Sequence, residues 1–413
     1  MSSAQHVAAG LRILPETAEN FASVQAAWRF YANPQVTLPQ LAQPVLDRAR
    51  QAVDQCDHFA LIVHDWSQLH YNGHEAKKHR IPLSQSTDLG YELQAAVVVS
   101  DRTGTPLAPV YHGLLAEDGV HSSMAAQPQA AMSQLDALAP VMASIDHLGW
   151  AKPCVHILDR EADSIAHLRH WHDAGYCFLV RANDRGRARW HNQHIALRDI
   201  ADRLKRRGLF QKTRKVSYRG ETKEQWVAST SVTVIRPAKL QRQGKKGPRC
   251  QIAGEPLKLR LVVAELRDHR SKICSRWLLL TNAPERVSAE TIALWYYWRW
   301  KIETYFKLLK SAGQQLEAWQ QETPTALAKR LLVAAMACVL VWQLARSQHP
   351  QAGRVRRFLI RLSGRQMKHG QAFTIPALLA GFWVYLHIVR AAEDPELGEM
   401  QTLVPLLLLR ETG

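Results

Sequence analysis

Three carboxylates in this sequence have positions from which they could hold divalent metal ions. Asp65 comes just after the apolar run FALIV (Phe59–Val63), Asp159 follows the apolar run CVHIL (Cys154–Leu158), and Glu303 lies in a later helical stretch. Because ligands gather at the carboxyl ends of strands in open α/β sheets, we expect Asp65 and Asp159 to meet at one edge. Carboxylates brought together repel each other unless a cation intervenes, and Mg²⁺ prefers carboxylate oxygens.

The predicted chemistry of such a site is phosphodiester cleavage, because two metal ions can clamp both the attacking and the leaving oxygen. Glu303, from an adjacent helix, would complete the ligand set. Simpler interpretations remain open at this stage. Asp65 could be a strand-end or turn residue, and Asp159 could cap the helix that follows it. The neighbouring Glu161 and Asp163 are better explained as helix-start charges than as ligands.

The segment WYYWRWKIETYFKLLK (Trp295–Lys310) predicts the helix that carries Glu303. At about 100° per residue its polar residues form one stripe: Tyr296, Arg299, Glu303 and Lys310, with Lys307 beside them. Its apolar residues form a second stripe with the spacing of a core face: Trp298, Ile302, Tyr305 and Leu309. The alternative for the polar stripe is a solvated face, on which Glu303 and Lys307 form an i, i+4 ion pair.

The surrounding pattern predicts an α/β body. Helices are predicted for residues 1–55, for the segment MSQLDALAPVMASIDHLG that ends at Gly149, and for Arg160–Trp171. Between them lie strand candidates, which in chain order are FALIV, YELQAAVVVSD, PLAPVYHGLLAEDG, CVHIL and YCFLVRAN. This order of strands and helices is typical of an α/β sheet.

The net charge of +17 is concentrated in one segment. Residues 184–284 contain 25 Lys and Arg against 8 Asp and Glu, an excess of 17 that equals the net charge of the whole chain. The stretches LKLRLVVAEL, TSVTVIR and WLLLT predict a β-rich insertion there, with Lys239–Pro256 as its most mobile loop. A basic segment on a neutral body indicates a polyanion partner, and nucleic acid fits strands and loops better than a membrane does. A merely soluble surface is the alternative.

Other features of the sequence limit the class of protein. The N-terminus lacks the basic start and apolar run of a signal peptide. The longest apolar run, Leu331–Trp342, is too short to span a bilayer and predicts a buried helix. The six cysteines are scattered without a C-x-x-C pair, which favours reduced thiols in a cytosol over a disulfide framework.

The polar stripe has a spacing that is found in a known family. Tyr296-x2-Arg299-x3-Glu303-x6-Lys310 resembles the Y-R-E-K signature of the insertion-sequence-four family of bacterial transposases. These are DDE transposases with a ribonuclease H-like core. The resemblance therefore implies a ribonuclease H-like mixed sheet with helices on both faces, interrupted by the β-rich insertion and flanked by helical N- and C-terminal regions.

Four other motifs extend the resemblance to roughly residues 21–345. HDWSQLHY around Asp65 and ILDREAD around Asp159 resemble the family's two aspartate motifs, WLLLTNAPE from Trp277 resembles its strand before the glutamate helix, and AAWRFYANPQVT resembles its pre-catalytic segment. Two departures stand out. Trp66-Ser67 replaces the usual two threonines after the first aspartate, and only about 20 residues precede the AAWRFYANP segment, so the N-terminal DNA-binding domain is reduced.

The resemblance implies roles for individual residues. Asp65, Asp159 and Glu303 would be the catalytic, metal-binding triad, with two Mg²⁺ ions for which Mn²⁺ can substitute. Trp277 would stack on a base flipped out of the transposon end, which requires a partly accessible ring; the alternative is a core position, because WLLLT is an apolar strand. The residues expected to bind DNA on this basis, with Lys307 added from the same stripe, are Tyr296, Arg299, Lys307, Lys310, Arg181 and Trp277.

The family also implies cut-and-paste transposition through a DNA hairpin, within a homodimeric synaptic complex on double-stranded DNA. The partners are the inverted-repeat ends and the target DNA, and the location is the bacterial cytoplasm at the nucleoid. The predicted domains are residues 1–55 (reduced DNA-binding region), 56–183 and 285–345 (the two parts of the core), 184–284 (basic insertion) and 346–413 (C-terminal helices for dimerisation or DNA contact). The alternatives are a metal-dependent nuclease without strand transfer and a domesticated, non-catalytic DNA-binding protein.

Overall fold

The structure is a computed structural model, and it describes residues 18–235, 238–239, 251–252 and 254–392. The described helices are α1 (Ala18–Ala32), α2 (Leu38–Val53), α3 (Leu138–Asp146), α4 (Ile165–Asp173), α5 (Leu197–Arg206), α6 (Ala289–Trp298), α7 (Lys301–Lys307), α8 (Pro324–Arg346), α9 (Ala352–Leu362) and α10 (Ile375–Ala392). The described strands are β1 (Ala60–His70), β2 (Ile81–Pro82), β3 (Leu89–Ser100), β4 (Pro106–Ala116), β5 (Gly119–Ser122), β6 (Cys154–Leu158), β7 (Phe178–Arg181), β8 (Arg187–Trp190), β9 (Gln193–Ala196), β10 (Gln211–Tyr218), β11 (Glu221–Val234), β12 (Ala238–Lys239), β13 (Gln251–Ile252), β14 (Leu257–Arg267) and β15 (Ile273–Thr281).

Five strands form the part of the sheet that carries the candidate site. Their order is β4-β3-β1-β6-β7. The first three are antiparallel neighbours, whereas β6 and β7 run parallel to β1. Parallel neighbours need a crossover connection, which α4 provides between β6 and β7. A mixed sheet with helices confirms the α/β class.

Strands of the basic segment 184–284 continue this sheet. Strand β15 pairs with β7, β14 with β15, and β11 with β14, all antiparallel, and the sheet reaches 13 strands. The predicted β-rich insertion is therefore continuous with the core sheet over these strands, whereas β12 and β13 form a separate two-stranded sheet. The physical reason is that the open edge of β7 presents unpaired backbone groups, which β15 satisfies. The segment also contains α5, which the sequence pattern did not predict, and most of the predicted loop Lys239–Pro256 lies outside the described residues.

Helices cover both faces of the sheet, as β15 shows. Trp277 and Leu279 point into an apolar cluster shared with α2, α6, α7 and α8. Leu278 and Leu280 point into a second cluster shared with α4 and α5. Because side chains alternate along a strand, this division places one cluster on each side of the sheet.

The predicted continuous helix over Trp295–Lys310 is interrupted. Ser288 caps α6, and its hydroxyl accepts a hydrogen bond from the Thr291 N–H at 3.1 Å. Helix α6 ends at Trp298, α7 begins at Lys301, and a π-helical turn follows from residue 308 to residue 312. The four apolar residues of the predicted core stripe are nevertheless all buried.

A close contact fixes the end of α6 against the sheet. The ring of Trp298 packs over Gly104, in the turn between β3 and β4. Gly104 has φ +66°, and a Cβ atom at this position would lie 2.2 Å from the indole ring. Only glycine combines that backbone conformation with that approach.

Helix α8 is longer than the apolar run that predicted it. Within the described part of the chain it is the one helix long and apolar enough to cross a membrane, by length and composition alone. However, 72% of its most apolar window is buried inside the protein, where it packs against β4 and α2. The length of the apolar run Leu331–Trp342 therefore did not predict the length of the helix that contains it. The prediction of a buried helix is confirmed.

A buried ion-pair network stabilises the extended part of the sheet. Glu265 in β14 is 0% exposed and accepts hydrogen bonds from Arg267 and Arg276, each at 2.7 Å. The Glu265→Gln variant should unfold with a free energy about 2 kcal/mol lower, because two guanidinium groups lose a buried counter-charge. The loss stays below that of a fully buried pair, because both arginines retain some solvent.

Urea denaturation of the full chain measures this difference. The matched control is Glu224→Gln, which breaks the surface pair with Lys212 and should cost less than about 1 kcal/mol. Equal unfolding midpoints for the two variants would show that the Glu265 network does not stabilise the sheet.

Candidate active site

Asp65 lies inside β1 rather than just past its end. It pairs with Ala95 of β3, but the parallel pairing of β1 with β6 covers only residues 60–63. Asp65 therefore lies where β6 no longer accompanies β1, and a ligand can approach this edge. Its Oδ1 accepts the Trp66 N–H at 3.0 Å, and its Oδ2 accepts a hydrogen bond from Arg299 Nη1 at 2.8 Å.

Asp159 directly follows β6, as predicted. Its Oδ1 accepts the Glu161 N–H at 2.8 Å and so caps a short 3₁₀ helix, Arg160–Ala162. The capping interpretation is therefore correct in geometry. The carboxylate is also close enough to the site to act on its charges, because it raises the pKa of both Asp65 and Arg299. Asp159 can therefore cap the 3₁₀ helix and belong to the candidate site at the same time.

Glu303 reaches the site from α7. Its Oε1 accepts a hydrogen bond from Arg299 Nη2 at 2.7 Å, and its side chain is 51% exposed. Glu303 thus makes its ion pair with the residue four positions before it, whereas the side chain of Lys307 is exposed. The alternative, in which Glu303 forms an ion pair with Lys307 on a solvated face, is therefore wrong about the partner of Glu303.

Arg299 connects the two carboxylates. The residue is 8% exposed, and one guanidinium bonds Asp65 and Glu303 at the same time. Burial lowers its pKa, but Tyr296 and the surrounding carboxylates outweigh burial, so the pKa of Arg299 lies above its usual value. Burial raises the pKa of Asp65 above its ordinary value, although Arg299 opposes that rise.

The other predicted DNA contacts are less accessible than expected. Tyr296 is 1% exposed; burial raises the pKa of its hydroxyl, which Arg299 and Arg181 at the end of β7 oppose. Lys310 donates to the Gln68 carbonyl at 2.5 Å and pairs with Glu317 at 3.1 Å.

The alternative of a solvated face is wrong for Tyr296 and Arg299, which are 1% and 8% exposed. Tertiary partners on neighbouring elements bury them instead. Lys307 is exposed as expected. The roles of all these residues toward DNA stay predictions.

Trp277 is also buried, contrary to the expectation of a partly accessible ring. It is 2% exposed, and its ring meets that of Tyr296 edge-on, with centroids 5.4 Å apart. The reason is its place on the face of β15 that α6 covers. In this conformation the ring offers no open surface to a flipped base.

Two clefts flank Glu161 beside the carboxylates. One, of about 660 Å³, is lined by three arginines together with acidic and amide side chains: Arg160, Arg185, Arg198, Glu161, Asp184 and Asn183. The other, of about 670 Å³, is lined by Trp66 and mainly polar side chains. No motif in the sequence pointed to these arginines, because they lie in separate parts of the chain. Arg185 and Arg198 contribute only to the charge of the basic segment 184–284.

The donors present suit a hard divalent cation. Asp65 and Glu303 both bond the guanidinium of Arg299, and Asp159 acts on it electrostatically. As the side chains stand, no three His, Cys, Asp or Glu among the described residues have the arrangement to bind one ion. Arg299 lies between Asp65 and Glu303 and bonds both. The residues thus fit a divalent metal by the chemistry of their donors.

Comparison with known proteins supplies the family. Residues 61–340 match the family described as transposase DDE domain, and this span contains all three carboxylates. Comparison with individual curated proteins gave no match. Among solved structures, the fold is similar to that of the piggyBac transposase synaptic complex with hairpin DNA, at a TM-score of 0.36 and 12% identity. The alignment covers 83% of this chain and 57% of that one, so this chain spans little more than half its length, and so low a score does not bear on function. The family match covers well over half of the sequence, and the chain therefore belongs to the transposase DDE domain family.

Proposed function

We propose that the protein is the transposase of a bacterial insertion sequence. It cleaves phosphodiester bonds at the inverted-repeat ends of the element and joins the freed ends to target DNA. The observation that carries the proposal is the convergence of Asp65 and Glu303 on Arg299, with Asp159 beside them, within the matched DDE domain. The strand order β4-β3-β1-β6-β7, with three antiparallel strands followed by two parallel ones, supports a ribonuclease H-like core.

The residues of this chain have distinct tasks in the proposed reaction. Asp65, Asp159 and Glu303 hold two divalent ions, Mg²⁺ or Mn²⁺. When bound, such ions supply Lewis-acid stabilisation of the attacking and leaving oxygens. Arg160, Arg185 and Arg198 line the cleft next to Asp159 and suit the phosphate backbone, whose binding depends on cationic side chains.

We extend the proposal to the route and the assembly. Cleavage passes through a hairpin on the element end, and two copies of the chain hold two ends together in a synaptic complex. The complex forms in the bacterial cytoplasm, at the nucleoid. Support for these finer points comes from the order and spacing of the motifs around Asp65, Asp159 and Glu303.

A strand-transfer assay tests the proposal. A labelled duplex that carries an end taken from the inverted repeats flanking the gene is incubated with the full chain, Mg²⁺ and a supercoiled target plasmid. Denaturing gels should show a nicked strand, a hairpin of about twice the strand length, and label joined to the plasmid.

The same gels distinguish the alternatives. Nicking without joined product indicates a metal-dependent nuclease. A shifted complex on native gels, with no cleavage in either Mg²⁺ or Mn²⁺, indicates a non-catalytic DNA-binding protein. A duplex with a scrambled end sequence is the control, and it should be neither nicked nor joined.

A further inference from the structure

The guanidinium of Arg299 takes up the carboxylate oxygens that a metal ion needs. Asp65 has two oxygens: Oδ1 accepts the Trp66 N–H at 3.0 Å, and Oδ2 accepts from Arg299 at 2.8 Å. Both are therefore engaged. Glu303 gives its Oε1 to the same guanidinium at 2.7 Å. A divalent ion held by Asp65 and Glu303 would therefore compete with this guanidinium for the same two carboxylates.

Arg299 is buried, but not all of its hydrogen-bond donors have a partner. The residue is 8% exposed, and its Nε is a buried donor without a hydrogen-bond partner in the described structure. An unpaired buried donor carries a desolvation penalty. A guanidinium prefers planar, two-oxygen partners such as a carboxylate or a phosphate. Arg299 is thus held by two separate carboxylates where one phosphate could serve it better.

We propose that Arg299 is a resident counter-ion, which holds the carboxylate site closed until a divalent ion displaces it onto a DNA phosphate. This inference rests on the proposed function for its DNA partner. A displaced Arg299 without a partner would be a buried unpaired charge, which is costly. Metal binding without DNA is consequently weak. A phosphate at the site removes that cost, so DNA and metal bind cooperatively, and each raises the affinity of the other by the same factor.

A role of Arg299 as a counter-ion and a purely structural role predict different effects of its removal on metal affinity. If Arg299 only clamps α7 to β1, then its removal loosens the carboxylates and lowers metal affinity. If it competes with the metal, its removal raises metal affinity. The two roles therefore predict opposite signs for the same measurement.

Titration of the full chain with Mn²⁺, in the absence of DNA, measures that sign. Free Mn²⁺ is followed by electron paramagnetic resonance. Arg299→Gln should bind Mn²⁺ on the order of tenfold more tightly than the wild type. Arg299→Lys keeps the charge but cannot bond two carboxylates with one planar group, so its affinity should lie between the other two.

Arg181→Gln is the matched control for charge. It removes a cation that acts electrostatically on Tyr296 and, among the described residues, makes no ion pair with Asp65 or Glu303, so it should change Mn²⁺ affinity by less than about twofold. Circular dichroism and thermal melts verify that each variant is folded. The inference is overturned if Arg299→Gln binds Mn²⁺ no more tightly than the wild type, or if Arg181→Gln raises the affinity equally.

The second arm adds a short duplex that ends at the cleaved end of the element, so no scissile bond remains to be cut during the titration. DNA should strengthen Mn²⁺ binding by the wild type and have little effect on Arg299→Gln, whose competing cation is already gone. Equal strengthening in both proteins would overturn the coupling. The DNA-free arm does not depend on the DNA substrate. A failed strand-transfer assay therefore refutes the proposed function and leaves the competition itself measurable.

Discussion

Asp65→Asn, Asp159→Asn and Glu303→Gln should each abolish cleavage of an element end while leaving end binding largely intact. Each change removes one carboxylate from the cluster around Arg299. Metal stabilisation of a phosphoryl transition state is worth several kcal/mol. With a factor of ten for each 1.36 kcal/mol, the nicking rate should fall by roughly a thousandfold or more.

The same variants should bind DNA at least as well as the wild type, because each removes negative charge close to the phosphate backbone. Single-turnover nicking on denaturing gels gives the rate, and native gels over a range of salt give the affinity. Glu161→Gln is the matched control: Glu161 is an exposed carboxylate next to Asp159, and its side chain is not expected to be a ligand. A variant that nicks at the wild-type rate would remove its residue from the catalytic set.

Trp277→Ala should lower the free energy of unfolding by about 3–5 kcal/mol, the range found when large aromatic side chains are removed from cores. The ring is 2% exposed, lies in the cluster beneath α6 and packs edge-on against Tyr296. Its loss would leave a cavity next to Tyr296, which lies on the same helix as the residues that lead to Arg299. Reduced activity would then follow from a disturbed core, and not from the loss of a stacking surface.

Urea denaturation measures the loss, and Trp28→Ala is the control. Trp28 is 41% exposed on α1, so its removal should cost less than about 1 kcal/mol. A stacking role makes a different prediction. Trp277→Ala would then remain as stable as the wild type, and 2-aminopurine placed at the penultimate end bases would change its fluorescence in the assembled complex. That pair of results would contradict the buried position.

The ion pairs within the basic insertion show which of its cations already have an acidic partner. Several of its cations are neutralised locally: Arg267 and Arg276 bond Glu265, and Arg276 also bonds Asp202. Both acids lie within residues 184–284 and are already subtracted in the excess of 17, so these ion pairs show which cations are engaged and leave the excess unchanged. The arginine-lined cleft beside Asp159 is the more specific site for a phosphate backbone, because it adjoins the candidate catalytic residues.

The sequence by itself determined the elements that carry the candidate site. Continuous apolar runs identified β1 and β6, and the residue after the second run is Asp159, where the structure has it. The 3.6-residue period identified the buried stripe of Trp298, Ile302 and Tyr305. These predictions succeeded because local periodicity reflects which face of an element is apolar, and because the ordered motifs matched a family over most of the chain.

Only the tertiary structure decided which polar and aromatic residues are exposed. A helical wheel shows that Arg299 and Glu303 share a face, but not that Asp65 on β1 lies opposite that face and buries Arg299. The apolar strand WLLLT indicated a core position for Trp277 as the alternative to stacking, but only the helix α6, which covers that face of β15, decides that the ring is buried. Likewise, the open edge of β7 decided that β15 extends the central sheet. In each case the deciding partner is far away in the sequence, and local patterns contain no information about contacts over such distances.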